Sequence, residues 1–132
     1  MHPRRLRAWR ASAYEAGGAV ARIGRRSAAI DALLRAMGVR QAVFVGAWNP
    51  GGRRASAGQN RIAERRLACF ARGLPQCGGQ GGLGGWREAH LLIGVAPSRA
   101  LVMARRLQQG GLVVVRIGAP ARLVLISPSA RR

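Results

Sequence analysis

The chain has 132 residues and a mass of 14.0 kDa, one domain's worth of length, and 48% of it is hydrophobic, enough for one modest core. All 23 basic residues are arginine, and only Glu15, Asp31, Glu64 and Glu88 oppose them, giving a net charge of +19. Four carboxylates are too few for a two-metal phosphoryl-transfer site, and a chain without lysine can be neither a Schiff-base enzyme nor a P-loop protein.

Residues 1–13 are basic and lack an apolar run, so they read as a disordered N-terminal arm rather than a signal peptide. Tyr14 to Ile23 ends in Ala-Val-Ala-Arg-Ile, a strand candidate. Ser27 then caps a helix to about Met37, with Ile30, Leu33, Leu34 and Met37 on one stripe and Gly38 as its stop. Gln41 to Asn49 reads as a buried strand halted by Pro50. Ser56 and Gln59 have capping-box spacing, which predicts a helix carrying Ala63, Leu67 and Phe70 inward and ending at Gly73 and Pro75.

Residues 74–85 are glycine-rich, show no periodicity and read as a loop. Glu88 to Val95 is a third strand. Ser98 is the expected cap of a third helix with Ala100, Met103, Ala104 and Leu107 inward. Leu112 to Ile117 and Arg122 to Ile126 are strands joined by Gly-Ala-Pro-Ala as a hairpin. The expected fold is therefore α/β in the α+β sense. It is a single mixed sheet of about five strands with three helices, in the order β-α-β-α-β-α-β-β, spanning residues 14–126 with a polar tail at 127–132.

Several motifs dissolve on inspection. Gly79-Gln-Gly-Gly-Leu-Gly84 spells GxGxxG, but a dinucleotide cradle needs a strand before it and a helix after it, and here the order is reversed. His2, Cys69, Cys77 and His90 do not pair at zinc-ligand spacings, and no nucleophile elbow supports a triad built on His90 and Asp31. The expectation is no metal, no cofactor and no transmembrane segment, since no apolar run approaches the roughly 18–20 residues that span a bilayer. Two cysteines in neither a CxxC nor a scaffold pattern read as reduced thiols in the cytoplasm.

The polar residues near strand ends are more informative. Asn49 closes an apolar strand just before a helix start, with Arg53 and Arg54 in the same loop, a setting suited to an anion. The plainer reading is an Asx turn before Pro50. Asn60 heads the buried stripe of the next helix, where it either bonds nearby backbone or lines a pocket. Trp86, Glu88, His90 and Leu92 alternate onto one strand face. In so basic a chain Glu88 is expected to pair with an arginine; as a functional residue it is a general base or a ligand anchor. His90 reads as a packed or exposed strand histidine.

The run Phe44-Val-Gly-Ala-Trp-Asn-Pro50, with Asn60, Trp86-Arg-Glu88, Leu91-Leu-Ile-Gly94, Leu107-Gln-Gln109 and Ala121-Arg-Leu-Val124, resembles the bacterial domain-of-unknown-function family 3293. The resemblance implies a small single-domain α/β protein of the bacterial cytoplasm with no assigned activity. It implies polar site positions at Asn49, Asn60, Glu88 and Gln109, with Trp48 and Trp86 as aromatic neighbours. Gly46 and Gly52 stand where that pattern has hydroxyl residues, Leu107 where it has Phe, and His90 where it has a small polar residue.

Three functions are compatible with these residues. The first is a binding module for a phosphate-bearing ligand, a nucleotide or nucleic acid, through Trp48, Asn49, Arg53, Arg54, Asn60, Trp86, Glu88 and Gln109. The second is an enzyme with Glu88 as base and Asn49, Asn60 and Gln109 orienting its substrate. The third is a protein that acts through its surface. A charge of +19 favours nucleic acid or another polyanion as partner. Yet Ala, Gly, Arg and Pro make up more than half of the chain, so GC-rich codons account for the arginine equally well. Placement of the arginines separates the two, a single basic face pointing to nucleic acid. Strand direction decides whether there is one polar site: residues 74–85, if extended, reach about 35–40 Å, enough to make the flanking strands antiparallel. Asn49, Asn60, Trp86, Glu88 and Gln109 then share one pocket.

Overall fold

In the computed structural model, which describes residues 2–127, the strands and helices alternate less simply than the sequence suggests. The order is α1 (Pro3–Ala11), β1 (Ala13–Ala16), β2 (Ala19–Arg22), α2 (Ala28–Met37), β3 (Gln41–Gly46), α3 (Ala57–Ala71), β4 (Gln76–Leu83), β5 (Trp86–Ile93), α4 (Pro97–Arg106), β6 (Gly111–Arg116) and β7 (Arg122–Leu125). A short 3-10 turn lies at Pro50–Gly52. The seven strands form one sheet in the order β2-β1-β4-β5-β3-β6-β7, with every neighbouring pair antiparallel.

The α+β architecture on a single sheet is as expected, but the counts and the mixed sheet are corrected. Each helical crossover still joins strands that run the same way, as crossovers do. An odd number of strands is interposed each time: β5 between β3 and β4, β3 between β5 and β6, and β1, β4 and β5 between β2 and β3. The sheet also curls until its edges meet. Ile23, just past β2, bridges Ala121, just before β7, and the Gly24 N–H donates to the Ala121 carbonyl at 2.7 Å. This closure shields edge groups that would otherwise invite pairing with another chain.

Two extra strands come from glycines. Gly17 and Gly18 take positive φ values of 54° and 81°, turning the segment read as one strand into the β1–β2 hairpin. The glycine-rich stretch read as a loop is β4, paired along its full length with β5. At Gly79, Gly81 and Gly82 neighbouring groups occupy the side-chain space, whereas Gly78 is open. A Cβ on Gly79 would collide with the Glu15 carbonyl oxygen and lie 2.9 Å from its carbon, and one on Gly82 would meet the Trp86 carbonyl.

Both faces of the sheet are buried. On one, Val43, Val45, Ile93, Leu112 and Val114 pack against Ala63, Leu67 and Ala71 of α3 and Ala100, Met103 and Ala104 of α4. On the other, Tyr14, Ala42, Phe44, Leu92, Val113 and Val115 pack around Ile30 and Leu34 of α2. Burial on both sides explains why β3 reads as an unbroken apolar run.

Helix ends follow local chemistry. The Ser27 hydroxyl accepts from the Ile30 N–H, Gly38 ends α2 in the left-handed region, and Ser56 with Gln59 forms a reciprocal capping box. Ser98 is not a cap: Ala96 holds that position, because Pro97 with its fixed φ and missing N–H starts α4 two residues earlier.

The segment expected to be a disordered arm contains α1. Pro3 sits in its first turn, the His2 side chain accepts from the Arg4 N–H, and Ser12 closes its end with a bond to the Ala8 carbonyl. Trp9 stacks on Tyr14 with centroids 6.1 Å apart, and the Tyr14 hydroxyl donates to the Trp9 carbonyl at 2.8 Å. Of the tail expected at 127–132, residues 128–132 lie outside the described residues. No described helix is long and apolar enough to cross a membrane.

Candidate functional site

Alternation along β5 places Trp86, Glu88 and His90 on the same face as Leu92, the face covered further along by α2. Beyond α2 that face is left open, and α1 crosses over it. The result is a pocket of about 370 Å³. Arg5 and Trp9 come from α1, and Tyr14 from β1. Trp48, Asn49, Gly52 and Arg54 come from the loop after β3, Trp86, Glu88 and His90 from β5, and Gln109 from the turn before β6. A second chamber of about 430 Å³ adjoins it at the start of α3, lined by Asn60, Arg61 and Glu64 and sharing Trp48, Asn49, Arg54 and Trp86.

The antiparallel pairing of β3 with β5 brings the sequence-predicted residues together. Trp48, Asn49, Arg54, Trp86, Glu88 and Gln109 all line the first chamber. Asn60 is buried behind them and reaches the second. Arg53 is exposed, lines neither chamber, and is the one candidate left outside.

Several of these residues build the site rather than face its interior. Asn49 sits at φ 52°, and its side-chain oxygen accepts from the Ala55 N–H at 2.9 Å. Asn60 Oδ1 accepts from the Asn49 N–H at 3.0 Å, and Asn60 Nδ2 donates back to Asn49 Oδ1 at 3.4 Å. The pair therefore braces the 49–55 loop against α3. Gln109 Nε2 donates to the carbonyls of Trp48 and Leu107, and the Gly51 N–H donates to the Gln108 carbonyl, which ties the turn before β6 to the same loop.

Among the described residues Glu88 has no arginine partner, contrary to expectation. Its Oε2 accepts from the Trp86 indole N–H at 2.8 Å, so the carboxylate orients one aromatic wall. Sequence reasoning missed Arg5, Trp9, Tyr14 and the role of His90. The imidazole lies across glycines: Gly46 is its cross-strand partner on β3, and a Cβ there would stand 2.7 Å from the ring. A Cβ on Gly81 of β4 would collide with the other side of the ring. A side chain at 46 and an imidazole at 90 compete for one space, so the glycine at 46 and the histidine at 90 form a single contact. Gly52 likewise makes room for the Arg5 guanidinium, at 2.5 Å from where its Cβ would be. The available signal was a histidine on a strand flanked by glycine-bearing strands.

Among the described residues, two buried side-chain polar atoms lack a partner, Trp48 Nε1 and His90 Nδ1, and both residues line this pocket. Burial holds the His90 imidazole down at about 4, against an ordinary 6.5. Burial also pushes the Tyr14 phenol up beyond its usual range, with the Glu88 charge adding and a Ser12 hydrogen bond opposing. The His90 shift has a consequence for stability. The unfolded chain binds the extra proton between pH 6.5 and 4, so the neutral ring's contribution is complete above 6.5. It is lost as the pH falls through that window, at a cost of about 3 kcal/mol by pH 4. An NMR titration is expected to find His90 neutral at pH 5.5; a midpoint near 6.5 contradicts the buried placement.

One antiparallel sheet with helices on both faces and an aromatic-walled pocket at one end defines a small α+β domain with a pre-formed ligand-sized cavity. The chain belongs to the family described as Protein of unknown function (DUF3293), which it matches over residues 45–112, just over half its length. No curated protein and no solved structure matches it. The matched segment runs from β3 to the start of β6 and carries Trp48, Asn49, Arg54, Asn60, Trp86, Glu88, His90 and Gln109. The α1 roof, with Arg5 and Trp9, and Tyr14 lie outside it.

Proposed function

We propose that the protein binds a nucleotide-class ligand, an aromatic base joined to phosphate, in the pocket between α1 and β5. One observation carries the reading. The chain has only three tryptophans, and Trp9, Trp48 and Trp86 all line this one cavity, with Arg5 and Arg54 beside them. Indole faces stack on any base, at about 1–3 kcal/mol per base, and guanidinium groups bind phosphate through paired hydrogen bonds. The cavity volume lies within the range of small-molecule sites.

A small ligand suits the charge distribution better than a nucleic-acid chain does. Arginines stand on α1 and α2 on one side of the sheet and at Arg61, Arg65, Arg66, Arg99, Arg105 and Arg106 on the other. That spread fits codon composition and offers no single basic face. Association with nucleic acid is then expected to be independent of sequence and to fall steeply with salt. Glu88, with one oxygen on the Trp86 indole, is suited to anchoring a ligand N–H more than to abstracting a proton.

Titrating the full chain with nucleoside 5′-monophosphates at about 0.15 M salt and following tryptophan emission tests the reading; that salt leaves exposed charges largely screened. The expected result is a saturable, one-to-one change. A response that never saturates, or that disappears as salt rises like the nucleic-acid background, counts against it.

A further inference from the structure

Trp48, Asn49, Arg54 and Trp86 line both chambers, so these four stand at the junction between them. The second chamber, about 430 Å³, is itself of small-molecule size, a class of about 300–1,000 Å³. One mononucleotide held in the first chamber leaves it unused. Its own polar groups are Arg61 and Glu64, three apart on one face of α3, since Asn60 is already engaged with Asn49. Glu64 is the informative residue. Of the four acidic side chains, Glu15 accepts from the Gly18 N–H, Asp31 from the Gly118 N–H and Glu88 from the Trp86 indole. Glu64 has no such bond among the described residues; it is half-buried and lines the second chamber. A carboxylate can only accept hydrogen bonds and it repels phosphate, so it suits the hydroxyl groups of an uncharged unit.

We infer that the ligand is a nucleotide of two units: its base stacks in the first chamber, its bridging phosphates lie at Arg54, and a sugar fills the second chamber with its hydroxyls on Glu64 and Arg61. This rests on the nucleotide reading and names the substrate class, a nucleoside diphosphate joined to a sugar. Arg54 is the guanidinium shared by the two chambers, where a bridging phosphate has to pass, and Arg5 lines only the first. Trp86 is 50% exposed, so its indole keeps open surface at the junction while Glu88 holds its N–H. Such a face is apolar, and the carbon side of a sugar ring can cover it as a base can.

Paired ligands test the second unit with base and phosphates held constant. ADP is compared with ADP-ribose, and UDP with UDP-glucose, by calorimetric titration of the full chain at about 0.15 M salt. In each pair the sugar blocks an ionisable phosphate oxygen, so the sugar-bearing compound carries less negative charge, and attraction to a +19 protein favours the plain diphosphate. Two-chamber binding predicts the reverse, with the sugar-bearing member of at least one pair about tenfold tighter, the worth of one or two added hydrogen bonds. Glu64→Ala is expected to remove that preference and to leave diphosphate binding unchanged or slightly stronger; attraction by net charge alone has it strengthen both members alike. If the diphosphates bind one-to-one and at least as tightly as their sugar-bearing partners, or if Glu64→Ala leaves a preference intact, the two-unit ligand is overturned while the nucleotide reading stands. If none of these compounds binds saturably, the nucleotide reading itself fails. The wild-type pairs decide the matter even if the variant does not fold.

Discussion

Gly79→Ala is expected to destabilise the protein by about 3 kcal/mol, whereas Gly78→Ala beside it is expected to be neutral or slightly stabilising. The two glycines are adjacent in β4 and have the same intrinsic freedom, so the contrast isolates packing. At Gly79 the added Cβ meets the Glu15 carbonyl and stands 3.0 Å from Ala16 Cα, and it cannot be relieved without separating β1 from β4. At Gly78 no heavy atom lies within 4 Å of the added carbon. Denaturant midpoints for the two variants measure this directly. Equal, small effects contradict the pairing of the glycine-rich segment and favour its reading as a loop.

That segment also shows where sequence reading stops. Helices α2, α3 and α4 were legible because their signals are local: Ser27 and Gly38 at the ends of one, the Ser56–Gln59 capping box on another, and apolar residues three and four apart on all of them. A strand is recognised by the alternation of its side chains, and β4 has few side chains to alternate. The groups that specify its glycines, Glu15, Trp86 and His90, are distant in sequence or belong to the partner strand. Helix α1 was missed for a related reason. It has no buried residue, only Leu6 and Trp9 are partly covered, and it is held by Trp9 on Tyr14 and by caps at both ends.

For the site, the antiparallel return of β5 could be argued from the length of the chain between α3 and β5, which predicts Asn49, Asn60, Trp86, Glu88 and Gln109 in one pocket. Arg5, Trp9 and Tyr14 are not predicted there, because nothing in the sequence says which end of the sheet α1 crosses. Asn60 proved to be a brace on Asn49, a role that depends on the left-handed turn at Asn49.

The second large effect concerns the arginines of the cavity. Arg5→Ala and Arg54→Ala are each expected to weaken binding of a nucleoside 5′-monophosphate about tenfold, and the double variant about a hundredfold. A charge-assisted bond to phosphate is worth more than a neutral one, and these two side chains approach from separate elements, α1 and the loop after β3. Arg53→Ala is the control: it removes the same charge from the next position, but Arg53 is exposed and outside the cavity. Calorimetric titration of the four variants and the unmodified protein gives the comparison. If Arg53→Ala weakens binding as much as Arg54→Ala, net charge rather than the pocket holds the ligand.

The most direct measurement is a crystal structure of the full chain grown with a saturating nucleoside 5′-monophosphate. The nucleotide reading places the base stacked among Trp9, Trp48 and Trp86, with phosphate oxygens about 3 Å from the guanidinium nitrogens of Arg5 and Arg54. A ligand found only on the outer arginines of α3 or α4, with the cavity beneath α1 holding none, contradicts it.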